Sequence, residues 1–274
     1  MTGGTRSAST PPLTRPVWPF VLLLLGLSIP FWVLGAVTDR FLPPSMPIRL
    51  PPSALMAFMP MVAALILAAR EGGAAGFRAM LARAVDGARV KGAGWWLAAL
   101  LLMPAAMLLE YGLILLRDGP ISDPVFPLAR APLFFLMFLA AGLGEELGWQ
   151  GFLFERLTPR LSALGAALVI GAIWSAWHII PMAQTGHDAA WTAWQLVTMF
   201  PTRVITVWLF VVAGRSVLLV AVFHAMTNVA EFMIPDYGSR FDPMLTCLIL
   251  TAVAAVVVGI WGPQTLDRFR LRRT

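Results

Sequence analysis

The sequence is poor in charge. Of its 274 residues, 12% are Asp, Glu, Lys or Arg, whereas 59% are hydrophobic. A soluble domain normally carries about 25% charged residues. The composition therefore excludes an ordinary soluble domain and indicates a polytopic membrane protein, with a length sufficient for one helical bundle.

Cysteine and tyrosine are also scarce. The single cysteine, Cys247, lies in an apolar run, so an intrachain disulfide is excluded and the redox compartment stays open. The chain has only 2 tyrosines, but 11 tryptophans, 17 phenylalanines and 14 methionines. The apolar content is thus carried by aliphatic residues and by aromatic residues other than tyrosine.

Long apolar runs predict an all-α, polytopic membrane helical bundle. A spanning helix needs about 20 mainly apolar residues. Eight candidates meet this length approximately: Trp18–Val37, Pro52–Ala69, Trp95–Leu116, Leu133–Phe154, Leu164–Met182, Trp191–Ala213, Ser216–Pro235 and Met244–Trp261. The predicted organisation is a disordered cytoplasmic N-terminus (1–17), a membrane-embedded domain (18–262) and a basic cytoplasmic tail (263–274).

The positive charges predict the orientation. With the N-terminus in the cytoplasm, 14 of the 20 Lys and Arg residues lie on the inner side. These are Arg6, Arg15, Arg70, Arg78, Arg83, Arg89, Lys91, Arg156, Arg160, Arg215, Arg268, Arg270, Arg272 and Arg273. Cytoplasmic loops are enriched in Lys and Arg, so both termini are predicted to be cytoplasmic. The net charge of +6 then reflects topology and contact with the lipid bilayer, and no nucleic-acid partner is expected.

The stretch "LAAGLGEELGWQGFLFERL", residues 139–157, places two adjacent carboxylates inside a predicted span. A charged residue at the centre of a spanning helix costs about 2.5–3.5 kcal/mol on insertion scales. Glu145 and Glu146 therefore indicate a function. A general base, a proton relay and a cation site all fit such a pair.

Two later spans carry polar residues at helical spacing. Trp174 and His178 are i, i+4 in one span, and His224 and Asn228 are i, i+4 in another. A rise of about 1.5 Å per residue places Glu145, His178, His224 and Asn228 roughly 12–20 Å above the inner edge. These four side chains are therefore predicted to converge on one buried site.

Each of these residues also has a structural interpretation. Taken alone, His178 is more typical of a satisfied core histidine, and Asn228 of a hydrogen bond between helices. Glu110, Arg203 and Glu231 form either structural ion pairs or a substrate or gating site. The occurrence of two histidines and two glutamates at one depth favours a functional site over a purely structural role.

Three motifs resemble those of the CPBP family of intramembrane endopeptidases, which contains the type II CAAX prenyl proteases and the bacterial Abi proteins. The family motifs EExxxR (often EExxWRG), FxxxH and HxxxN are similar to "EELGWQG" (145–151), "WSAWH" (174–178) and "HAMTN" (224–228). The motifs occur in the family's order, and the resemblance covers roughly residues 133–235.

Two residues depart from the family pattern. Trp174 replaces the usual Phe and keeps an aromatic wall. Gln150 replaces the usual Arg and removes a cation one turn from Glu146, although Gln150 can still hydrogen-bond Glu146. Arg203, if it reaches in from the sixth span, could supply the missing charge.

The resemblance implies an intramembrane endopeptidase acting on a membrane-associated peptide or protein, in a multi-pass protein of the bacterial plasma membrane. It implies that Glu145 is the general base, that His178 helps to hold the water, and that His224 and Asn228 hold the oxyanion. Glu146 would position its neighbours or bind a metal. A metallopeptidase, with zinc or another divalent metal on Glu145, Glu146, His178 and His224, is left open beside a metal-free site.

Two other classes remain as alternatives. A proton- or cation-coupled transporter could use the same carboxylates, although the motif helices are consecutive and show no inverted repeat. A non-catalytic membrane adaptor could retain the fold, and Gln150 is the residue that favours it. The sequence does not identify the substrate.

Overall fold

The structure is a computed structural model that describes residues 16–38 and 50–268. Within these residues it is helical and contains no β-strand, which confirms the predicted fold class. Most of the predicted N-terminal segment (1–17) and about half of the predicted tail (263–274) lie outside the described residues. Eight long helices follow in order: α1 (Trp18–Val37), α2 (Met59–Ala82), α3 (Ala93–Asp118), α4 (Ala131–Gly148), α5 (Ala163–Ala183), α6 (Ala189–Val212), α7 (Val217–Met233) and α8 (Pro243–Trp261).

Seven helical segments in the described ranges are long and apolar enough to cross a membrane. The exception is α7, which has 17 residues and is shorter than the predicted span 216–235. At about 1.5 Å per residue it covers roughly 26 Å, slightly less than the hydrocarbon core of a bilayer. α7 packs against both α3 and α4, so much of its surface contacts protein and does not have to match lipid.

Helix α4 changes geometry just after the two glutamates. It continues into a π-helical segment, Trp149–Phe154, and ends in one further turn, Glu155–Leu157. A π-helix has i→i+5 hydrogen bonds and often occurs at functional sites. Residues beyond Gly148 therefore no longer follow the α-helical spacing from Glu146.

Glycines bring α4 unusually close to its neighbours. A Cβ atom on Gly148 would lie 2.5 Å from Pro60 Cβ and 2.6 Å from the Pro60 carbonyl carbon. A Cβ atom on Gly142 would lie 3.0 Å from the Ala221 carbonyl oxygen and 3.4 Å from His224 Cβ. The absence of side chains thus lets α4 pack tightly between α2 and α7.

Side-chain caps fix the starts of the three helices that face α4. Ser162, Asp188 and Ser216 each accept a hydrogen bond from a backbone N–H in the first turn of α5, α6 and α7. Asp86 strengthens the last of these, because its carboxylate accepts bonds from the Val217 and Leu218 backbone N–H groups. These caps set the depth of the residues that α5, α6 and α7 contribute to the interior.

Candidate active site

Glu145 lies in the interior with its two carboxylate oxygens in different surroundings. Oε2 accepts hydrogen bonds from the indole nitrogens of Trp174, at 2.6 Å, and Trp149, at 3.1 Å. Oε1 lies 3.8 Å from His224 Nε2 and makes no shorter ion pair. The carboxylate is therefore held through one oxygen, while the other remains available beside an imidazole.

Glu146 is fully buried and bonded on both oxygens. Arg203 Nη1 donates to Oε1 at 2.9 Å and to Oε2 at 2.8 Å. His224 Nδ1 also lies 2.8 Å from Oε1. Arg203 comes from α6 and His224 from α7, so Glu146 joins three helices in one charged hydrogen-bond network.

The contacts of the two site histidines define their proton positions. His224 Nδ1 faces a carboxylate and His178 Nδ1 faces the Trp174 carbonyl oxygen at 2.9 Å. Both partners only accept hydrogen bonds, so Nδ1 carries the proton in each ring. In each histidine, Nε2 is thus the nitrogen left for a water or a substrate.

Two cavities meet at this site. An interior cavity of about 120 Å³ and an open groove of about 420 Å³ are both lined by Glu145, His178, His224 and Asn228. The structure thus brings together the four side chains that depth estimates placed at one level, and their catalytic roles stay predictions. The interior cavity has a mixed lining, and its polar residues include Gln195, Thr198, Thr202, Thr206, Thr227 and Glu231.

The groove is mainly apolar. It runs along the connection before α2 and between α4 and α5, where its lining includes Leu50, Met56, Phe58, Met137, Phe138 and Pro181. One side of the site therefore suits an apolar group, whereas the other side has room and hydrogen-bond partners for several water molecules.

Known proteins are similar in sequence to the part of the chain that carries the site. Residues 127–230 match the profile of the type II CAAX prenyl endopeptidase Rce1-like proteins. The segment that carries the site is thus similar to this family. A CAAX prenyl protease 2 from Methanococcus maripaludis is 30% identical over 173 residues, which are 58% of this chain and 62% of that protein. The chain thus matches less than two thirds of this relative's length, and the resemblance predicted from the three motifs is confirmed.

The two residues that depart from the family motifs, Trp174 and Gln150, behave differently in the structure. Trp174 was expected only to keep an aromatic wall, but its indole nitrogen also donates to Glu145, which a phenylalanine cannot do. Gln150 was expected to be able to bond Glu146, and this was wrong. Gln150 is fully buried, and neither polar atom of its amide has a partner among the described residues. The change from α- to π-helix at Trp149 explains why the i, i+4 argument failed.

Two residues of the site were not predicted as such. Trp149 follows Glu145 by one turn, and the i, i+4 spacing could have identified its bond. Arg203 was expected to supply the charge missing at Gln150 only if it reached in from the sixth span, and it does so by bonding Glu146. Its pairing with Glu146 depends on how α6 is rotated toward α4, which a sequence pattern does not specify.

The proposed metal ligands do not form a metal centre in this arrangement. Glu146 is fully used by Arg203 and His224, and a guanidinium beside a carboxylate opposes a second cation there. Among the described residues, no group of three or more His, Cys, Asp and Glu side chains is placed to hold a metal ion. We therefore assign no reaction step to a metal.

Glu110 and His187 lie outside the hydrogen-bond network of this centre, whereas Glu231 lines the interior cavity. Glu110 accepts hydrogen bonds from the Thr246 hydroxyl and the Asp242 backbone N–H, and no ion pair joins it to Arg203. His187 stacks on Trp191 in the α5–α6 connection, where burial lowers its pKa and Asp188 opposes this effect. Asp188 itself caps α6.

Proposed function

We propose that the chain is an intramembrane endopeptidase that hydrolyses a peptide bond with a water activated by Glu145. The observation that carries this proposal is the asymmetry of Glu145. One oxygen is fixed by two indoles, and the other faces His224 where a cavity with several polar lining residues meets an apolar groove. The Rce1-like match of residues 127–230 supports the same reaction class.

In this mechanism Glu145 Oε1 takes a proton from a water that His178 Nε2 helps to hold. The water oxygen attacks the peptide carbonyl carbon, and the carbonyl oxygen becomes an oxyanion. His224 Nε2–H, in an imidazolium whose Nδ1–H is bonded to Glu146, and the Asn228 amide donate to that oxyanion. Glu145 then gives its proton to the leaving nitrogen, so the C–N bond breaks to a carboxylic acid and an amine, and Glu145 returns to its ionised form.

The groove supports an apolar substrate. We propose that it takes the lipid or apolar part of a membrane-associated protein, and that the scissile bond then lies over Glu145. Because the archaeal relative is named a CAAX prenyl protease, a prenylated C-terminal peptide is the first substrate to test.

The test starts with substrate identification. Membrane proteins from cells with the wild-type chain and with Glu145→Gln should differ in the processing of at least one protein. Glu155→Gln, ten residues further along the same helix, is the matched control and should behave like wild type.

Purified variants of Glu145, His178, His224 and Asn228 should then each abolish cleavage, and their effects should not add because they act as a unit. Additive, partial effects would favour a transporter or a structural role.

We further propose that both termini are cytoplasmic and that the protein is a multi-pass protein of the bacterial plasma membrane. A reporter that is active only in the cytoplasm should be active after Thr274 and silent after Gly186, which lies in the α5–α6 connection. The reason is the bias of 14 of 20 Lys and Arg residues toward the other side. Activity after Gly186 would reverse the orientation.

A further inference from the structure

Gln150, at the motif position that the family usually fills with Arg, makes no polar contact with the described residues. Gln150 is completely buried, and its Oε1 and Nε2 atoms have no hydrogen-bond partner among the described residues. It therefore supplies neither charge nor a hydrogen bond to Glu146. The side chain that holds Glu146 in place therefore comes from another part of the chain.

Arg203 fills this position from another helix. Its guanidinium is 1% exposed, and Nη1 bridges both oxygens of Glu146 at 2.9 and 2.8 Å. The guanidinium carbon also lies 4.3 Å from the centre of the Trp174 ring, a cation–π distance. Trp174 in turn donates to Glu145, so Arg203 contacts Glu146 directly and a hydrogen-bond partner of Glu145.

The chain of contacts continues from Glu146 to His224. A carboxylate with both oxygens bonded to Arg203 cannot rotate freely, and its Oε1 accepts the proton of His224 Nδ1 at 2.8 Å. A fixed acceptor at Nδ1 sets both the tautomer and the ring orientation of a histidine. His224 Nε2 is consequently directed toward Glu145 Oε1, at 3.8 Å.

We propose that Arg203 is a positioning residue for the reaction, which acts through Glu146 on the Nδ1 proton and the ring orientation of His224. The cation comes from α6, whereas the motif position on α4 holds a neutral amide. This inference rests on the proposed function only for its kinetic consequence, because the effect on His224 is a property of the protein without substrate.

The substrate-free test uses the low histidine content. The chain has three histidines, so ¹⁵N-histidine labelling gives few imidazole signals, and His178→Gln and His187→Gln assign them. We expect a protonated, hydrogen-bonded Nδ1 for His224 in the wild type. Arg203→Gln should change the His224 signals and leave His187 unchanged. Unchanged His224 signals in Arg203→Gln would overturn the proposal.

The kinetic test uses the same variants on a cleaved substrate. Arg203→Gln should lower kcat by about 100-fold with little change in KM, as expected for a misplacement of roughly 1 Å. Glu146→Gln/Arg203→Gln should be no worse than the poorer single variant, because the two residues act in one pathway. A loss confined to KM, or additive losses, would contradict the positioning role.

Arg203→Lys keeps the proposal testable if Arg203→Gln does not fold. A lysine keeps the charge but not the planar guanidinium. We expect it to retain the His224 tautomer and to recover part of kcat, whereas a purely structural role predicts loss of folded protein without this recovery. If the wild type cleaves nothing but Arg203→Gln still changes the His224 signals, the proposed function fails and the positioning role stands.

Discussion

The bundle encloses glutamates in two regions, and their partners differ. On α4, Glu146 is bonded to a guanidinium and an imidazole, and Glu145 is held by two indoles through a single oxygen. On α3 and α7, the partners are neutral. Glu110 accepts from a backbone N–H and a hydroxyl, and Glu231 is bonded to the side chain of Gln195.

This difference distinguishes the carboxylate that we propose to be reactive from a structural one. Both oxygens of Glu110 are used by the start of α8, at Asp242 and Thr246, so this residue fastens α3 to α8. Glu145 keeps one oxygen toward a cavity beside a histidine that is supported by a charge network. Burial in a membrane bundle is therefore insufficient to identify a catalytic carboxylate, and the partner of each oxygen is the more informative property.

The largest expected effect is the loss of cleavage rate in Glu145→Gln, which compares the two regions directly. Glu145→Gln should lower the cleavage rate by about 10²–10⁴-fold, the usual contribution of a general base, because an amide cannot take the proton of water. The protein should still fold, since the amide oxygen can accept the two indole bonds. Glu231→Gln is the matched control, a second carboxylate on the same cavity. Similar losses of rate in both variants would remove the distinction.

A smaller effect is expected from Trp174→Phe. This change keeps an aromatic ring but removes the N–H that holds Glu145 Oε2. A hydrogen bond to a charged group contributes about 1.5–3 kcal/mol, so kcat should fall by about tenfold or more. Steady-state kinetics should show no such fall in Trp194→Phe, because Trp194 is 39% exposed and lies outside the site. Equal activity of the two variants would mean that the indole bond does not matter.

The packing of α4 explains why its glutamates, and not those of α3, approach His224. Gly148→Ala places a Cβ atom 2.6 Å from the Pro60 backbone, and overpacking of this kind typically costs about 1–3 kcal/mol. Gly151→Ala is the control, because its nearest neighbour atoms lie at 3.5 Å, an ordinary contact. Thermal unfolding in detergent should show a lower Tm for Gly148→Ala alone. A lower Tm for both would indicate that helix geometry, and not the close approach, is the cause.

The smallest effect is expected from Glu110→Gln. The amide can keep one of the two hydrogen bonds to α8, so the free energy of unfolding should fall by about 1 kcal/mol. The kcat value should not change, because Glu110 contacts none of the residues assigned to the reaction. A loss of kcat at unchanged Tm would give this second region a catalytic role.

Hydropathy and motif spacing predicted much of the fold and part of the site. The predicted span 18–37 coincides with α1, and the depth estimate correctly brought Glu145, His178, His224 and Asn228 to one cavity. Both results depend only on the rise along a helix and on the length of apolar runs. These quantities are the same for almost any α-helix.

The partners of the site residues could not be predicted in the same way. The bond between Arg203 and Glu146 depends on the rotation of α6 about its own axis. The orphaned amide of Gln150 depends on a π-helical segment that has no distinctive sequence. Depth along each helix was thus accessible from sequence, whereas the angle around each helix required the packed bundle.

The π-helical segment of α4 also bears on how this chain is compared with its relatives. A π turn holds about one residue more than an α turn, so it is equivalent to a single-residue insertion within a helix. A relative of the same length whose helix stays α-helical here would have its later side chains rotated by about 100°, whereas a relative one residue shorter would keep them in the same direction. An alignment without a gap at this place would then pair residues that are not equivalent in space, and a one-residue gap next to the paired glutamates would restore the equivalence.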